Sequence, residues 1–343
     1  MTPLTLLMLQ AEQVELRPVA AAKLGRPATA DALSSRILPR GMQSETLKSI
    51  LSQLAAQAGH GYRPGQAPHT EPTALAALAL LASERPTSAL PALEWLAGIQ
   101  SADGSLGIHA GQPSPCWPTA LAILAWQASA SSIPSAQGVD STNFEANIKR
   151  AVSYILRSGG ESLPLNAFMA HDTTLVGWSW VAETHSWVEP TAWHLLALDA
   201  TRQTRSPRFA EGVRLLMDRQ LPHGGWNYGN TVVLGQELRP HLQPTGLAIL
   251  ALARAAVAAP KLEKSLAYLE SNLEQASPVS LSYACMGLAS YGRLPNSSSR
   301  LLEATAAKTL RQKSSALSLA MLALAASPER NPLVAHYGNG FTR

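Results

Sequence analysis

Six times between residues 43 and 326 the chain sets a helix-length segment with charges along one face ahead of a second segment that carries almost no charge. The charged-face segments fall at about 44–57, 89–100, 145–158, 207–220, 261–273 and 299–311, and their Ala/Leu-rich partners at about 72–83, 118–129, 190–201, 244–256, 278–290 and 314–326. A helix with one polar stripe lies at a surface, whereas a helix that is apolar all round needs cover on every side. Six of each therefore predict an all-α fold, a single α6/α6 toroid in which six outer helices enclose six inner ones. Repetition on this scale also favours one repeat domain over two ordinary domains in a chain of 343 residues. Residues 1–42, with Pro18, Pro27, Pro39 and Gly41 and no clear period, read as an N-terminal arm, residues 43–326 as the toroid and 327–343 as a C-terminal tail.

Composition narrows the function classes. Apolar residues make up 46% and charged residues only 15%, which is ample for one extended core. The net charge of +4 is mild and its basic residues are scattered, so there is no nucleic-acid footprint, while a peripheral membrane contact or a protein partner stays compatible with it. Cys116 and Cys285 have no CxxC spacing, which gives neither a disulfide framework nor a zinc finger and makes a reducing compartment the default. The N-terminal apolar run lacks a basic n-region and a cleavage site, and the longest charge-poor runs stop short of the roughly 20 residues of a membrane span. The expectation is a cytoplasmic protein, soluble or peripherally attached.

Four of the uncharged segments open on the same turn, X-Pro-Thr-small: Glu71-Pro72-Thr73-Ala74, Trp117-Pro118-Thr119-Ala120, Glu189-Pro190-Thr191-Ala192 and Gln243-Pro244-Thr245-Gly246. Proline suits the first helical position, where no N–H is needed and φ is preset. Long loops precede these four turns, at 58–71, 101–117, 159–189 and 221–243, and all run from an outer helix to an inner one, which places them at one end of the toroid. That end collects seven of the nine histidines and five of the eight tryptophans. Binding residues ride on loops held by a rigid scaffold, so a site is expected there.

Two loops open with Gln-x-x-x-Gly, at Gln100 to Gly104 and Gln220 to Gly224, the second followed by Trp226. These resemble the QW repeat of squalene cyclases and related terpenoid cyclases, and with the inner-helix signature the resemblance covers residues 43–326 and extends to protein prenyltransferase β subunits. It implies a toroid that holds a polyisoprenoid or another long apolar ligand. Laid on the cyclase proton-donor motif, Glu189 falls at the donor position, with Trp187 and Pro190 where the flanking acids would stand. The prenyltransferase zinc set would be met by Cys116, Asp172 and His241, an alternative to a site without cofactors.

Individual residues carry two readings each. Glu189 and Glu71 are either acids of a cavity or carboxylates that favour a helix N-terminus. His171 with Asp172 is a candidate relay pair or an ordinary Asx-type turn. Trp117, Trp178, Trp180, Trp187 and Trp193 are either walls for an apolar ligand, able to stabilise a cation, or large core residues. His194, Tyr228 and Gln243 complete the candidate ligand-binding set. The alternatives to an isoprenoid enzyme are a non-catalytic binding or scaffold toroid and an α6/α6 polysaccharide-active enzyme with paired carboxylates.

Overall fold

The structure is a computed structural model, and it describes residues 45–132, 144–165 and 169–334, all within the unit Pro39–Arg343. The arm and the end of the tail lie outside the described residues. Twelve α-helices occupy those that are described. The odd-numbered helices are the amphipathic ones: α1 (Glu45–Ala55), α3 (Pro86–Gly98), α5 (Glu145–Arg157), α7 (Pro207–Asp218), α9 (Glu263–Ser271) and α11 (Ser298–Arg311). The even-numbered helices are the uncharged ones: α2 (Thr70–Ala82), α4 (Thr119–Ser132), α6 (Val188–Ala200), α8 (Leu242–Arg254), α10 (Pro278–Ser290) and α12 (Ala316–Ala325).

Each even helix packs on the next even helix, and α12 packs back on α2, so the inner ring closes. Along α6, every residue from Val188 to Leu198 is buried, and α8 is buried from Pro244 to Ala253. The odd helices lie outside, each against the even helix that precedes it, with α1 against α12. The chain is thus an all-α double-ring toroid, as the alternation of stripes requires. The one departure is a short antiparallel hairpin in the loop after α7, where β1 (Val232–Val233) pairs with β2 (Gln236–Glu237). Among the described residues no helix is long and apolar enough to cross a membrane.

The proline turns lie slightly deeper in the helices than the sequence predicts. Pro72, Pro190 and Pro244 are the third residues of α2, α6 and α8, and Pro118 directly precedes α4. All remain in or before the first turn, where backbone N–H groups have no intrahelical acceptor, so the ring of proline costs no hydrogen bond. The threonine that follows has a function the sequence did not reveal. Thr73, Thr119, Thr191 and Thr245 each accept a hydrogen bond on Oγ1 from one loop backbone N–H, those of His60, Leu106, Trp178 and Trp226, at 2.9, 2.9, 3.0 and 2.9 Å. One repeated hydroxyl thus fixes each long loop to its inner helix.

The loop starts are tied outward. Gln100 donates Nε2 to the carbonyls of Gly104 and Asn147, each at 3.0 Å, and Gln220 donates to Ser265 Oγ at 2.8 Å, so each glutamine links the end of one outer helix to the next. Gly104 and Gly224, at φ 96° and 101°, let the turn press against the backbone of Arg150 and Lys264, where a Cβ would overlap. Trp226 is wholly buried and its Nε1 donates to Leu216 O at 2.6 Å. These contacts fix the loops relative to both rings and so set where their side chains can meet.

Candidate functional site

The X residue of X-Pro-Thr recurs at one level of the inner ring, and three of its four occurrences come together. Glu71 and Glu189 are the second residues of α2 and α6, and Gln243 is the second of α8. Gln243 hydrogen-bonds the Glu189 carboxylate, and Glu71 lies near enough for its charge to act on Glu189. Trp193, four residues after Glu189, shares its helical face. Its ring meets that of Tyr283 from α10 at 6.1 Å between centroids, with the planes at 64°. Tyr283 in turn feels the charges of Glu71, Glu189 and Tyr62. The constellation is two carboxylic acids, an amide and aromatic rings drawn from α2, α6, α8 and α10.

Its electrostatics are unequal. Glu189 is 6% exposed, and its Oε1 has no hydrogen-bond partner among the described residues. Burial, reinforced by the charge of Glu71, pushes its pKa up to about 8, and the Gln243 hydrogen bond only partly offsets this. The helix N-terminus would favour the anion, but desolvation wins here. Glu71 is raised by burial to about 7, with the Tyr62 hydroxyl, which donates to its Oε2 at 2.5 Å, pulling the other way. The phenol of Tyr228 lies near Glu189, whose charge adds to burial in raising the phenol pKa. Around neutral pH, then, Glu189 holds its proton while Glu71 is the readier of the two to release one. Neither carboxyl caps its helix: the residues at the cap positions are His69 and Trp187, with no side-chain capping bond.

The other sequence candidates go elsewhere. His171 and Asp172 belong to the frame of the longest loop. Asp172 Oδ1 accepts from the backbone N–H and the hydroxyl of Thr174 at 2.9 and 2.6 Å, which forms an Asx-type turn. The Asp172 N–H donates to Asp218, and its carbonyl accepts from Arg219 at 3.2 Å. His171 is buried, and burial together with the charges of Arg219 and His185 lowers its pKa to about 4, so it is neutral at physiological pH. The proposed zinc trio is not assembled. Among the described residues no three His, Cys, Asp or Glu side chains converge: Cys116 lies by Tyr154, Asp172 by Thr174, and His241 against Tyr228 at 5.2 Å.

The five tryptophans do not form one ring of walls. Trp193 belongs to the carboxyl site, and Trp187 packs on His185 at 4.4 Å and over Gly229. Trp117 and Trp180 meet edge to face at 4.6 Å, while Trp178 stacks on His194 at 4.9 Å and donates Nε1 to Ile155 O. His194, one position past Trp193, is turned to a different face of α6 and away from the carboxyls. Tyr62 and Tyr283 were missed by sequence reasoning. Tyr283 had a signal, a phenol inside an otherwise uncharged inner helix, whereas Tyr62 sits in a loop with nothing to mark it.

The fold and site together define an all-α toroid with a carboxyl pair, Glu189 buried and Glu71 half-buried, near the start of its inner helices. No family model matches the chain, and no curated protein matches it. Among solved structures it is similar to a glycosidase, with 11% identity over 84% of this chain and 98% of that one and a TM-score of 0.50. It is also similar to a type II terpene cyclase, MstE from Scytonema, with 17% identity over 78% of each chain and a TM-score of 0.46. At 11% identity the likeness to the glycosidase concerns the fold alone.

Proposed function

We propose that the protein is an enzyme in which Glu189 is a general acid and Glu71 its carboxylate partner, acting on an oxygen of an otherwise apolar, isoprenoid-type substrate. The observation that supports this is the unequal pair: two neighbouring carboxyls whose surroundings separate their proton affinities, the arrangement that assigns acid and base roles. In the proposed step the Glu189 proton passes to an epoxide, ether or allylic oxygen. The C–O bond breaks with its electron pair going to that oxygen, and the cation left on carbon faces the π surfaces of Trp193 and Tyr283. Glu71, as the carboxylate, accepts the proton that the cation later loses. An acid with a pKa near 8 gives up its proton as the C–O bond breaks and the departing oxygen becomes basic; it is too weak a donor for an isolated carbon–carbon double bond. No cofactor is required by this step.

The apolar substrate class is supported by the loop end of the toroid, where Leu163, Leu165, Met169, Val181, Val233 and Leu234 are all exposed, Leu234 almost fully at 96%. A peripheral contact with a membrane surface belongs to the same reading. A second reading, hydrolysis of a glycoside, draws on the carboxyl pair alone, because an acid with a raised pKa beside a carboxylate is what that reaction uses. The test is turnover by Glu189→Gln and wild type on a polyprenyl epoxide and on an aryl glycoside. The expected result is activity on the epoxide that falls about 10²- to 10⁴-fold in the variant, the usual worth of a general acid. Equal turnover by both proteins would refute the acid assignment, and activity on the glycoside alone would select the second reading.

A further inference from the structure

A cavity of about 80 Å³ lies beside α6, and neither Glu71 nor Glu189 lines it. Its walls include Cys116, Trp117, Tyr154, Trp178, Trp180 and His194, contributed by the loop before α4, by α5, by the longest loop and by α6. A water needs only ~10–15 Å³ of such space, so the cavity exceeds one water several times over. Its chemistry is unusual for a packing defect, because three indoles and an imidazole face one small volume.

His194 carries the argument. It is 2% exposed, and its one hydrogen bond among the described residues runs from Nδ1 to Pro190 O at 2.7 Å. A carbonyl can only accept, so Nδ1 bears the proton and Nε2 is a bare acceptor. Burial, with the Arg208 charge close by, lowers the ring's pKa to about 3, so the imidazole stays neutral and that acceptor is permanent. The Arg208 guanidinium lies 4.4 Å over the Trp178 ring and donates to the carbonyls of Val176, Gly177 and Ser158, which locks the indole against the histidine. An acceptor whose water is displaced by a ligand and not replaced by a donor costs about 1–3 kcal/mol, so a ligand N–H is favoured over a ligand without one. Across the cavity Tyr154 is hydrogen-bonded with the Cys116 thiol.

We propose that this cavity is a binding site for a small, flat, uncharged ring that carries an N–H, held by a hydrogen bond to His194 Nε2 and packed against Trp117 and Trp180. Aromatic walls with a single polar anchor are the usual make-up of a small-molecule pocket. The site is independent of the carboxyl pair, so its failure leaves the reading of Glu189 untouched.

Cys116 supplies the readout. It is the partly accessible cysteine, while Cys285 is 1% exposed, so a disulfide reagent added to the folded protein labels Cys116 first. The labelling rate is measured with indole and with benzofuran, which has the same shape and no N–H, and the labelled peptide is confirmed by mass spectrometry. Indole is expected to slow Cys116 labelling at least fivefold at a concentration where benzofuran slows it less than twofold. Calorimetry should show the same preference. His194→Phe, which keeps the ring and removes the acceptor, should abolish the difference between the two probes. No protection by indole, equal protection by both probes, or a preference retained in His194→Phe would overturn the proposal. The comparison of the two probes on the wild-type protein decides it even where the variant does not fold.

Discussion

The carboxyl of Glu189 is the residue on which most depends, and its environment makes a thermodynamic prediction separate from activity. Its folded pKa, about 8, stands above the ordinary 4.5. A raised pKa means that the folded state binds the proton more tightly than the unfolded chain does. The group's full contribution to stability is therefore present below pH 4.5 and is lost as pH rises through 8. Between pH 4.5 and 7 that loss is roughly 3 kcal/mol from this one group. Thermal melts across this range should show a falling Tm in the wild type and a markedly flatter profile in Glu189→Gln, whose amide does not titrate. An unchanged profile in the variant would mean that the carboxyl is solvated after all. The site's residues were only partly legible beforehand. Glu71, Glu189 and Gln243 share the X position of a repeated turn, so the sequence placed them at one level of the ring; that Trp117, at the same position, lines the cavity beside His194 depends on the loop packed against it.

At the scale of the element, the four threonines explain why the turn recurs. A helix start needs only a proline or a cap, and serine does that work at α10 and α12, where Ser277 and Ser315 each accept a backbone N–H. Thr191 and its equivalents instead reach out of their helices to fix the long loops. Thr191→Val keeps the shape and removes the acceptor, leaving the buried Trp178 N–H unsatisfied. We expect a loss of about 1–3 kcal/mol in denaturant unfolding, largely restored in Thr191→Ser. The short-loop units, α9 to α12, have no such threonine because they have no long loop to hold. A different device serves α8 and α10, which approach so closely at Gly246 that a Cβ there would lie 2.5 Å from the Tyr283 carbonyl. That contact brings Tyr283 beside the site, and nothing in the one-letter code announces which glycine makes it.

For the whole molecule the decisive feature is closure of the inner ring between α12 and α2. Each even helix is buried by two even neighbours and by its outer helices, so removing one unit exposes apolar surface on two helices at once. Deleting residues 298–334, which contain α11 and α12, is expected to abolish the single cooperative unfolding transition. The truncated chain should also lose its near-ultraviolet circular dichroism. A truncated chain that melts as sharply as the full one would show that the units are stable independently. The same closure draws residues from α2 and α6, far apart in the chain, into one pair of carboxyls.

The sequence by itself determined the class of fold, the number of helices in each ring and the end at which the long loops gather. Those follow from periodicity and charge, which act locally along the chain and leave a readable pattern. What only the tertiary structure decided is which side chains share a space. Trp193 and His194 are neighbours in sequence, yet one faces the carboxyl pair and the other a separate cavity, because successive residues on a helix point about 100° apart. The raised pKa of Glu189 likewise comes from burial and from a second carboxyl four elements away, and neither is present until the ring has closed.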